Sequence, residues 1–69
     1  MNIMDHEEIL RSQIGVLREE HRQLDEEIAA EVENPLADQL AVRRMKKRKL
    51  QLKDQIARIE DLLYPDIIA

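Results

Sequence analysis

The sequence predicts an all-α fold, an antiparallel two-helix hairpin of coiled-coil type that dimerises into a four-helix bundle. Three observations predict it. The 69 residues include one glycine, one aromatic residue and 38% charged residues, which leaves little material for strands, turns or a bulky core and favours long amphipathic helices. Apolar residues recur at alternating four- and three-residue spacing through two long segments, the periodicity of helices that pack along a seam. One sharp break, Asn34-Pro35, divides those segments into nearly equal lengths.

The first helix is expected over about residues 5–32. Asp5 followed three residues later by Glu8 resembles a capping box that satisfies the first free amides, and no proline interrupts the chain from Asp5 to Val32. A turn is expected at 33–35, because Asn34 suits an N-cap and Pro35 at the first helical position gives up no needed hydrogen bond. The second helix is expected over about 36–63. It ends before Tyr64-Pro65, since a residue preceding proline is pushed out of helical geometry. Residues 64–69 form a short C-terminal tail that folds over the open end of the hairpin, docks on a partner or stays disordered. The whole chain reads as one domain.

In the first helix the stripe is Glu7, Leu10, Ile14, Leu17, His21, Leu24, Ile28 and Glu31; in the second it is Asp38, Val42, Met45, Lys49, Leu52, Ile56, Ile59 and Leu63. Folding back at Asn34 pairs Ile28 with Val42, Leu24 with Met45, Leu17 with Leu52, Ile14 with Ile56 and Leu10 with Ile59. The members of each pair are equidistant from the break to within one residue. The polar interruptions follow the same rule, His21 opposite Lys49 and Glu31 opposite Asp38. Among flanking charges, Arg11 falls near Glu60, Asp25 near Lys46 and Glu20 near Arg48, whereas Arg18 meets the like-charged Lys53.

Ile9, Val16, Leu36, Leu40, Leu50 and Leu62 lie off the seam and would face water in a lone hairpin. Covering several of them contributes on the order of 5–10 kcal/mol gross, comparable to a small domain's whole stability. A homodimer or higher homo-oligomer is therefore expected. Residues 1–33 hold ten acids and three bases, and residues 36–63 four acids and eight bases. Opposite-signed helices favour both the hairpin and helix one against helix two of a neighbour. Gly15 is either a close helix crossing or a tolerated surface glycine.

The candidate functional residues fall in two groups. His21, Asp25 and Lys49 form a polar layer that fixes register. His21 with Asp25 one turn later would also suit two metal ligands or an oriented acid-base histidine, but a metal site needs three or four ligands and no nucleophile accompanies the pair. Were His21 to face Lys49, acid would loosen the bundle by like-charge repulsion. The second group is the basic run Arg43, Arg44, Lys46, Lys47, Arg48 and Lys49, with Lys53, a surface for a protein partner or for a phosphate backbone. These residues occupy successive helix faces without aromatics between them, and the formal charge of −4 weakens the nucleic-acid reading. No cysteine is present, so disulfides and thiolate metal sites are excluded. No catalytic residue, metal site or cofactor is expected, and with no apolar run of membrane-spanning length or secretory leader the expected location is the cytoplasm.

Two motifs carry a family resemblance. HRQLDEEI at residues 21–28 and MKKRKLQLKDQI at 45–56 resemble the two motifs of the YdcH-like family of small bacterial proteins, a domain of unknown function. The matching positions are His21, Leu24, Asp25, Ile28, Lys46, Lys47, Lys49, Leu50, Leu52, Lys53, Asp54 and Ile56. The resemblance implies a short helical hairpin without an assigned activity and a bacterial source.

Overall fold

The computed structural model describes residues 5–64. Two helices, α1 (His6–Glu33) and α2 (Gln39–Leu63), pack against each other, with no strand among the described residues. The chain is an all-α helical hairpin, as its periodicity predicts. The expected roles of the tail beyond Tyr64 lie outside the described residues. Among the described residues no helix is long and apolar enough to cross a membrane.

α1 starts where the capping residues put it. The Asp5 carboxylate accepts a hydrogen bond from the Glu8 amide at 2.8 Å, satisfying one of the amides that a helix start leaves free, and Glu7 and Glu8 complement the positive end of the helix dipole. α2 starts later than expected. Its N-cap is Asp38, whose side chain accepts from the Leu40 amide at 2.9 Å, rather than Asn34. Asn34 instead opens a turn: its side chain accepts from the Leu36 amide at 3.0 Å and its carbonyl from the Ala37 amide at 3.1 Å. Asn at the first and Pro at the second position are favoured in a tight turn, so Pro35 bends the chain without entering the helix. Tyr64 caps the far end by donating its amide to the Glu60 carbonyl at 2.8 Å.

Burial follows the predicted stripes. Leu10, Ile14, Ile28, Val42 and Leu52 are buried, and Leu52 exposes no surface at all. Every other stripe residue from Leu17 to Glu31 and from Met45 to Leu63 is half-buried, while Glu7 and Asp38 at the stripe ends are exposed. All six off-seam apolar residues are exposed, as are Val32 and Tyr64.

The register differs from the expected one. Glu20 does take Arg48, at 2.7 Å. However, Asp25 takes Lys49 rather than Lys46, at 2.9 Å, and Glu60 takes Arg18 rather than Arg11, at 3.3 Å. Arg11 turns back to Glu7 in its own helix, at 2.6 Å. Leu17 also shares a groove with Gln55 and Ile59. Asp25 thus takes a lysine one turn further along α2 than expected and Glu60 an arginine two turns further along α1, while Glu20–Arg48 is unshifted. A turn that ends at Asp38 instead of Pro35 favours shifts in that direction.

Candidate functional site

α1 and α2 bring the predicted polar layer together around one carboxylate. Asp25 accepts from Lys49 Nζ at 2.9 Å and lies 3.6 Å from His21 Nδ1 one turn earlier on its own helix. The Lys49 ammonium holds the Asp25 carboxyl below its usual range, and the charges of His21 and Lys53 act in the same direction. His21 and Lys49 therefore share Asp25 as a charged neighbour. His21 is about a quarter exposed, and its Nε2 is buried without a hydrogen-bond partner among the described residues.

This arrangement can lock two helices in register. Asp25 is half exposed, so its pairing is well solvated and screened. Among the described residues no three His, Cys, Asp or Glu side chains gather as a metal site would require. A second charged cluster, Arg22 between Glu19 and Glu26, lies entirely on α1. It lowers the Glu19 pKa through its hydrogen bond and is the usual i, i+4 support of an exposed helix face.

The basic run is split by the fold. Arg48 and Lys49 are spent within the hairpin on Glu20 and Asp25. Arg43, Arg44, Lys46, Lys47 and Lys53 are exposed and make no ion pair among the described residues. Helical spacing spreads them around the outer side of α2 and leaves the exposed Leu40 and Leu50 among them.

A feature that the stripes alone do not reveal lies towards the open end, away from the turn. Ser12, Gln13, Val16 and Leu17 of α1 and Gln55, Arg58 and Ile59 of α2 line a shallow groove of about 540 Å3. Its base is apolar, and Val16 is two-thirds exposed. The sequence signal for it was present in Val16, an apolar residue at a flank position beside the stripe. A single helix cannot show that Ile59 completes the surface from across the seam.

No curated protein and no solved structure matches the chain. The family described as "Protein of unknown function (DUF465)" matches residues 16–60, a span that contains the polar layer, the turn, the basic run and most of both stripes. The chain belongs to that family.

Proposed function

We propose that this is a non-enzymatic, self-associating helical hairpin, a structural or adaptor protein of the bacterial cytoplasm that completes its core with a second copy and presents a charged helical surface to another protein. Its two motifs support placing it with YdcH-like proteins. One observation carries the reading: the core is too small for the surface. Five residues are buried while eight large apolar side chains stand exposed.

Sedimentation equilibrium of the full chain at micromolar concentration tests this. A mass of twice 8.2 kDa or a higher multiple is expected. A monomer that keeps its helicity at all concentrations overturns it.

A second reading rests on the exposed cations Arg43, Arg44, Lys46 and Lys47, which make no ion pair among the described residues and would suit an accessory nucleic-acid binder. It requires affinity for mixed DNA or RNA that falls steeply with salt and is lost in a Lys46→Glu/Lys47→Glu variant. The exposed leucines among these cations and the absence of aromatic side chains there favour a protein surface instead.

A further inference from the structure

We propose that the second copy seats on one broad side of the hairpin, with its two-fold axis running along the helices, so that α1 of each copy lies on α2 of the other and both turns sit at the same end. This rests on the self-association argued above and specifies which surface is used and how.

The two broad sides of the hairpin differ. One is closed by charge, with Arg18–Glu60 and Asp25–Lys49 spanning the seam. Two residues along a helix are 200° around it, so Val16 projects away from Arg18, to the other side. There the groove of Val16, Leu17 and Ile59 is open. Ile9 lies two turns before Val16 on the same strip, and Leu62 one turn beyond Ile59; both are exposed and extend the apolar surface to the open end. Towards the turn, Glu20–Arg48 bounds it.

Charge decides between the two possible two-fold arrangements. The groove residue Gln13 begins a seven-residue strip on α1 that continues through Glu20 and Glu27. The groove residue Gln55 ends a strip on α2 that runs back through Arg48 to Arg44. This side of the hairpin is thus acidic along α1 and basic along α2. An axis perpendicular to the helices would stack α1 on α1, acid on acid, and overlap only the open-end halves. An axis parallel to them keeps the apolar patches in contact and sets Glu27 against Arg44 of the partner copy. That places like helices diagonally, the arrangement an isologous four-helix bundle allows.

Because the chain has no native cysteine, a single Leu36→Cys change at the turn, where Leu36 is 90% exposed, carries a spin label cleanly. Helices packed ~10 Å apart with both turns together give a label-to-label distance under about 30 Å. The perpendicular arrangement separates the turns by about 50 Å or more, from 1.5 Å rise per residue. Val16→Lys should weaken dimerisation by at least about tenfold, since it places a charge where a valine side chain is buried, with helicity unchanged because Val16 is exposed in the hairpin. Glu27→Arg and Arg44→Glu should each weaken the dimer, and the double exchange should recover it. A dimer with the long distance, or one indifferent to Val16→Lys, overturns this interface while leaving self-association standing; a monomeric wild type overturns both.

Discussion

Leu52 is the side chain on which the hairpin's stability should depend most directly, and Leu50, two residues away, is its internal control. Leu52 has no exposed surface, whereas Leu50 is 63% exposed, so the same chemical truncation samples opposite environments on one helix. Leu52→Ala removes three carbons from a dry site, about 2.4 kcal/mol at ~0.8 kcal/mol per buried methylene. The cavity left behind adds to this, but a seam one helix wide can partly close around it, which places the expected loss near 3 kcal/mol, in the lower half of the usual range for such truncations. A domain of this size holds only about 3–5 kcal/mol from a single core, so the variant should unfold substantially in water. Leu50→Ala should stay within about 0.5 kcal/mol of wild type. Urea denaturation followed by helical circular dichroism measures both, at two protein concentrations because association adds stability by mass action. A Leu52→Ala loss below about 1 kcal/mol, or a Leu50→Ala loss equal to it, would refute the assignment of the core to this stripe.

Three further outcomes follow from local geometry. Asp38→Ala should cost about 1 kcal/mol by uncapping α2, with a smaller loss for Asn34→Ala; thermal melts giving the opposite order would make Asn34 the cap. A methyl group added at Gly15 would meet nothing within 4 Å, which settles it as a surface glycine within the hairpin rather than a close crossing, so Gly15→Ala should raise stability by about 1 kcal/mol, and a loss in denaturant midpoint would contradict it. Asp25 has its carboxyl pKa lowered by Lys49, so its contribution is present above the unfolded value near 3.9 and vanishes as pH falls through the lower folded value. The melting deficit of Asp25→Asn should therefore be constant from about pH 7 to 5 and shrink progressively as the pH falls further, and a deficit that persists in full in strong acid would show that the ion pair is not its source.

What the sequence made legible was whatever depends on periodicity. Burial along a packed helix repeats every 3.6 residues, and thus Leu10, Ile14, Ile28, Val42 and Leu52 could be read from spacing without knowledge of their partners. The beginning of α2 was less legible because two residues compete for it. Asn34 and Asp38 both have capping side chains, and Pro35 fits the second position of a tight turn as well as the first of a helix. Local chemistry permits either solution. The candidate groove was legible only in half, since Val16 marks a flank of α1 but its completion by Ile59 depends on the register across the seam.

Register is where charge, rather than apolar burial, makes the selection. Moving one helix past the other by about a turn returns the same stripe to the interface, because residues three and four apart share a helix face. Apolar contacts are exchanged for similar ones, and the core residues stay the same. The charges are not interchangeable in this way. A fold-back centred on Asn34-Pro35 would set Arg18 against Lys53, two cations, and leave Asp25 to Lys46. With the longer turn, Arg18 reaches Glu60 and Asp25 takes Lys49 with Lys53 near enough to act on it. Each exposed pair is worth little alone, but all are read together against a nearly degenerate apolar seam. The turn sets which register the chain reaches, and the charges make that register the one without the Arg18–Lys53 conflict.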